Sequence, residues 1–219
     1  MLRTIDPDGI YWKRLVFSKD NIRMDVAAFR SYAYLLVPPA GHVILFRAQS
    51  SENKVEFFAG ADAPDVLSRF ASFFFHMYGT YAEDGIPEDI EGNRISLIPV
   101  RKKVPDFYHP ALLKSIIFLP TTLKGIKIDY TAVISSRRRL GKRRFSFAAS
   151  ILSDAPYDRM VELIDILRFE AADLREKTGL KLRIVSGERI TFRNDRFTTP
   201  FHLATFVRIP SDQDLEVIT

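Results

Sequence analysis

Residues 125–152 read GIKIDYTAVISSRRRLGKRRFSFAASIL, and their pattern sets the fold class. Ile126, Ile128, Tyr130, Ala132 and Ile134 alternate with Lys127, Asp129 and Thr131, the period-two signature of a half-buried strand. Phe145, Phe147, Ala149 and Ile151 repeat the alternation. Gly141 falls between the two runs, so the segment is expected to form a β-hairpin. Its tip and flanks carry Arg137, Arg138, Arg139, Lys142, Arg143 and Arg144, six cations in eight positions. The chain as a whole has a formal net charge of +5, so without these six the other residues sum to −1.

Downstream, a helix is expected from about Pro156 to Lys177, with Asp154 as N-cap and Gly179 as its stop. Met160, Leu163, Ile164, Leu167, Ala171 and Leu174 form its apolar stripe. Two short strands, LKLRIVSG and ERITFRN, then lead to the final segment FTTPFHLATFVRIPSDQDLEVIT. Upstream, GIYWKRLVFS reads as a strand, and SYAYLLVPPAGHVILFRAQ (31–49) as a hairpin turning at its PPAG. KVEFFAGA (54–61) is a further strand. Asp62 as N-cap and Pro64 in the first turn open a helix whose buried face is Val66, Phe70, Phe73, Phe74 and Met77, ending at Gly79. YAEDGIPEDIEGN (81–93) reads as an exposed loop before the strand RISLIPV. Residues 101–124 fit either a helix turn or a strand, with helix favoured from Pro110.

The expected fold is therefore α+β, with a mixed or largely antiparallel sheet and two main helices. Both helices begin with Asp-Ala-Pro, at 62–64 and 154–156, each after paired strands. A duplicated strand-strand-helix unit is the simplest architecture; the alternative is that Asp and Pro are merely common helix starters. The division expected from this pattern is an N-terminal subdomain over 1–125 and a C-terminal one over 126–219.

The chemistry the sequence excludes is extensive. There is no cysteine, hence no disulfide, thiolate site or cysteine nucleophile. His42, His76, His109 and His202 share no metal-ligand spacing. The one Gly-Lys pair, Gly141-Lys142, has Ser136 where a phosphate loop needs its first glycine and Arg143 where it needs a hydroxyl. Glu83, Asp84, Glu88 and Asp89 fall in the Gly- and Pro-containing loop and read as solvated, and His76 reads as a satisfied, partly buried histidine. No catalytic residue, metal or cofactor is assigned, and the domain is not expected to be an enzyme. Plentiful charge with little Asn or Gln leans towards a protein of a hot environment. The amino terminus lacks a signal-peptide core, and the apolar runs fall short of the roughly 20 residues that span a bilayer. The expected location is the cytoplasm, either free or peripheral at the inner face of the cell membrane.

The order of elements over 126–219, ending in Phe201, His202, Leu203, Ala204, Thr205, Phe206, Val207, Arg208, Ile209 and Pro210, resembles the region just before the motor in HerA/TraC-type ATPases. These are the hexameric DNA-translocating engines of conjugation and type IV secretion. Leu203, Ala204 and the Ile209-Pro210 pair fit the family's stretch, whereas His202 stands where it has an acid and Arg208 where it has a histidine. The resemblance implies a non-motor domain, with the ATPase motor beyond Thr219 or on another chain, a hexamer when joined to that motor, and a membrane channel partner. For the six cations three readings stay open: a solvated hairpin tip, a contact to DNA phosphates, and a contact to an anionic membrane surface.

Overall fold

The computed structural model describes residues 9–17, 26–50, 54–88, 91–99, 127–139, 142–178 and 182–191. The alternating runs of the opening segment pair as expected. Strand β6 (Ile128–Arg139) and strand β7 (Lys142–Ser153) form an antiparallel hairpin in register from Ile128↔Ser153 to Arg139↔Lys142. Beside β6 runs β2 (Val43–Ser50), which continues through a second hairpin into β3 (Val55–Ala61). With β1 (Tyr11–Val16), β4 (Tyr81–Asp84), β5 (Glu91–Pro99) and β8 (Leu182–Thr191), these strands make one eight-stranded sheet in the order β4-β1-β3-β2-β6-β7-β5-β8. Every neighbouring pair is antiparallel.

Among the described residues three α-helices accompany the sheet: α1 (Val26–Tyr32), α2 (Pro64–Tyr78) and α3 (Tyr157–Thr178). Alternation sends Ile44, Phe46 and Ala48 of β2, Ala59 and Ala61 of β3, and Ile128, Tyr130 and Ala132 of β6 to one face. There they join Phe29 of α1, the expected stripe Val66, Phe70, Phe73, Phe74 and Met77 of α2, and Met160, Leu163 and Leu167 of α3 in a single core. Aromatic rings interlock at its centre. Phe74 stacks on Phe46 at 5.6 Å and meets Phe73 edge-on at 5.3 Å, geometries that add to area burial. Gly79 closes α2 in the left-handed region, φ 62°, with its N–H donated to the Phe75 carbonyl.

The opposite face holds a smaller cluster of Ile10, Val43, Leu45, Val133 and Leu152, with Trp12 packed against it. Trp12 lies directly over Gly60, where a Cβ would come within 2.6 Å of the indole. That close approach is why the position holds glycine.

The sheet order contains a repeat. Counted from either edge, each half runs fourth, first, third, second: β4-β1-β3-β2 on one side, β8-β5-β7-β6 on the other. In each half the helix follows the third strand and packs into the same core. The two Asp-Ala-Pro sequences occupy equivalent places, directly after Ala61 of β3 and Ser153 of β7. Ile44, partner of Ala61, thus corresponds to Ile128, partner of Ser153. On that correspondence Ser50 matches Ile134. Across the central seam Ile44 pairs Ile134 and Ser50 pairs Ile128, so the two halves exchange places about the Arg47↔Thr131 pair. The chain is a pseudo-twofold duplication of a β-β-β-α-β unit. Strands on either side of position 125 interleave, since β5 sits between β7 and β8.

Several local expectations differ from the structure. The first arm of the expected 31–49 hairpin is instead the end of α1 and a 3-10 turn, Ala33–Leu36. Its apolar residues, Ala33, Leu35 and Leu36, are buried in the helical layer, and that packing overrides their strand-like composition. The expected loop 81–93 supplies β4 and the start of β5, because β1 offers Tyr81–Asp84 an edge with which to pair. Over their described part, LKLRIVSG and ERITFRN form one strand, β8, not two. The register shift opposite Asn93 and Ile95 fits three steps of β8, Arg189 to Ser186, against two of β5, which accommodates Gly187 without a turn. The N-cap of α2 is Ala63 rather than Asp62. His76 is exposed and stacks on Tyr32 at 4.4 Å. Residues 101–124 and 201–210 lie outside the described residues.

Candidate nucleic-acid interface

The six cations, Arg137, Arg138, Arg139, Lys142, Arg143 and Arg144, sit at the end of the β6–β7 hairpin, where backbone register alone brings them together. Arg137 faces Arg144, Arg138 faces Arg143 and Arg139 faces Lys142. On the β6 side, pairing with β2 ends at Val43↔Ser135. On the β7 side, pairing with β5 reaches only Leu97↔Ala149. Beyond Ser136 the two strands pair with each other alone among the described residues, as a ribbon projecting about 10 Å at the usual strand rise.

Comparison of the two halves shows what this ribbon is. Between the equivalent pairs, Ile44 and Ala61 are 17 positions apart while Ile128 and Ser153 are 25 apart, so the second hairpin is longer by eight residues. The first hairpin closes through residues 51–54 after Ser50↔Val55. The second reaches the matching pair Ile134↔Phe147 and then continues through residues 135–146, which contain all six cations. Three like-charged pairs directly opposite one another oppose strand pairing. The stability of the sheet therefore does not account for them, whereas a bound polyanion would relieve their repulsion.

The ribbon is anchored at its root by the turn before β2. The Gly41 N–H donates to the Ser136 carbonyl at 2.8 Å, and the Ser136 N–H donates to the His42 carbonyl at 3.1 Å. Gly41 adopts φ 96°, in the left-handed region that glycine tolerates, which turns the chain from Pro39 onto the ribbon. At this root His42 Nδ1 lies 3.1 Å from Asp62 Oδ1, the oxygen that also accepts the Val43 N–H at 3.1 Å.

A second polar group occupies the sheet face away from the helices. Arg47 and Asp129 are buried there, the Arg47 Nε donating to both carboxylate oxygens at 2.9 and 2.7 Å, with Nη2 on the same carboxylate. Gln49 donates to Asp129 at 3.1 Å. Gln49 also holds the backbone of Glu88 from both sides, accepting its N–H at 3.0 Å and donating to its carbonyl at 2.6 Å, and Arg47 adds a further donor to that carbonyl at 2.6 Å. Burial pushes the Asp129 carboxyl up, while the Arg47 guanidinium and the Gln49 and Thr131 donors pull it back. This cluster was not visible as a site in the sequence, where Asp129 and Thr131 alternate as if facing solvent; both are buried. Its groups bond one another and the Glu88 peptide, an arrangement suited to fastening the 85–88 segment onto the sheet.

Two acidic residues of the 81–93 stretch are likewise occupied. Glu83 accepts Arg14 Nε at 2.6 Å, and Asp84 accepts Lys13 at 2.6 Å; Asp89 lies outside the described residues. Among the described residues no group of three or more acids and histidines is placed to hold a metal ion, and no helix is long and apolar enough to cross a membrane. Set against models of known protein families the chain matches none, and no curated protein matches it.

Proposed function

We propose that this chain grips a nucleic-acid backbone through its basic ribbon, as a non-catalytic accessory domain of a DNA-translocating ATPase assembly. One observation carries the reading: the ribbon is an eight-residue extension over the hairpin of the other half, and it bears six cations in three facing pairs. A two-stranded ribbon matches the width of a DNA major groove, and clustered cations bind phosphates by counterion release without reading sequence. The resemblance of residues 126–219 to the pre-motor region of HerA/TraC-type ATPases supports the setting. In that setting a homo-hexamer carries the ribbon six times around a ring on the cytoplasmic side, docked to a membrane channel. A stand-alone nucleic-acid-binding protein would use the same ribbon. The presence of a phosphate-loop motor on the same or a neighbouring polypeptide separates the two.

The test is the salt dependence of duplex DNA binding. Each phosphate contact contributes roughly 0.9 to the log–log slope. Replacing Arg137, Arg138, Arg139, Arg143 and Arg144 by Ala is expected to weaken binding and flatten that slope. An unchanged slope overturns the proposal, as does binding to anionic vesicles with none to DNA.

A further inference from the structure

We propose that His42 is a further phosphate-contacting residue at the root of the ribbon and makes that contact only when protonated, so that binding of nucleic acid takes up a proton. The inference rests on the ribbon reading above and adds a residue from the other half of the molecule.

The backbone places His42 where a strand bound along the ribbon would end. Its carbonyl accepts the Ser136 N–H, one residue before Arg137. Its side chain is 39% exposed. The carboxylate of Asp62 is an acceptor, so the ring nitrogen facing it, Nδ1, carries a hydrogen. Asp62 is itself fixed by the Val43 N–H. This arrangement orients the ring and leaves Nε2 as the nitrogen turned away from Asp62. In the neutral ring Nε2 has a lone pair, which repels a phosphate oxygen. In the imidazolium it has an N–H, which donates to one.

The electrostatics work in the same direction. The charged group that the structure places on the ring is Asp62, and the backbone of Ser136, bonded to the His42 carbonyl, leads directly into Arg137. A protonated His42 adds one positive charge at the root of the cationic arm and gives it a further donor, oriented by Asp62.

The experiment uses the full chain and a random-sequence duplex DNA, with affinity measured against salt at pH 5.5 and pH 8. The wild-type salt slope is expected to be larger by about 0.9 at the lower pH, one additional phosphate contact. Calorimetry at an intermediate pH, in buffers of different ionisation enthalpy, is expected to show uptake of a fraction of a proton on binding. H42A should bind with the pH 8 slope at both values, and H42K with the larger slope at both, which a merely structural histidine would not produce. H76Q, at the far end of α2, should retain the wild-type dependence on pH. If H42A keeps that dependence, or wild type shows none, His42 does not make the contact, although the ribbon still binds. If wild type fails to bind duplex DNA at either pH, the ribbon reading itself falls and this inference with it.

Discussion

Arg47 and Asp129 form a buried ion pair across the seam between the two halves, with side-chain exposures of 1% and 0%. Arg47 is also the residue about which the halves exchange, standing directly opposite Thr131. A charge at this position has no solvent to fall back on, and the Asp129 carboxylate and the Glu88 carbonyl are among the groups that compensate it.

Removing either partner should therefore be costly. D129A or R47A is expected to destabilise the fold by about 3–5 kcal/mol, because the remaining charge stays buried without its partner. The double replacement R47M/D129L should lose much less than either single variant. Urea denaturation of the three proteins checks this, and a single-variant cost below about 1 kcal/mol would contradict the burial of the pair.

Trp12 is the only tryptophan in the chain, so its fluorescence reports one place. In G60A the new methyl would meet the indole at 2.6 Å, and Trp12 must move off the sheet. A red-shifted emission and a stability loss of about 1–3 kcal/mol are expected. Unchanged emission would mean that Trp12 does not cover Gly60.

The ribbon should be dispensable for folding. Replacing residues 135–146 by the four-residue connection of the first hairpin, residues 51–54, leaves the Ile134↔Phe147 pair to close the shortened hairpin and, among residues whose burial is described, removes only Ser136 from the buried set. The shortened protein should keep its circular dichroism spectrum, unfold within about 1 kcal/mol of wild type, and lose measurable affinity for duplex DNA. Collapse of the fold would show that the ribbon is structural after all.

Acid should weaken the edge formed by β1, β3 and β4. Hydrogen bonds from Lys54 and Arg14 hold the Glu56 carboxyl below its ordinary range, and Lys13 does the same for Asp84. For a carboxyl depressed on folding, the stabilisation is fully present above the ordinary carboxylate pKa and is lost as pH falls through the depressed folded value. Stability should fall as pH drops below about 4.5, and E56Q/D84N should show a shallower decline. An identical acid limb in the variant would remove these pairs from the account.

Much of this architecture was legible from periodicity. The alternation of Ile128, Tyr130 and Ala132 and the stripe from Val66 to Met77 each matched a buried face, because one-sided burial writes itself directly into spacing. Tertiary partners were not legible in the same way. Arg47 and Asp129 are 82 positions apart, and Asp129 looks solvent-facing until β2 is placed beside it. α1 was hidden because its apolar residues pack on a neighbouring helix, not by their own pattern. The projection of the ribbon, however, left a signal that could have been read. Gly41, Ile44 and Ala48 have the spacing of Gly125, Ile128 and Ala132. From Gly41 to Asp62 is 21 positions and from Gly125 to Asp154 is 29, so the eight-residue extension is already present as a difference between two sequence echoes.

A body whose two sides are nearly interchangeable has no preferred direction of its own. The single arm on one hairpin removes that equivalence and gives the molecule a front and a back. A filament bound along the arm, as proposed, would meet His42 and the start of α2 on one flank and the end of β5 on the other. Reversing the filament would exchange those neighbours, so the lopsided extension would let an otherwise balanced scaffold distinguish the two polarities of a strand.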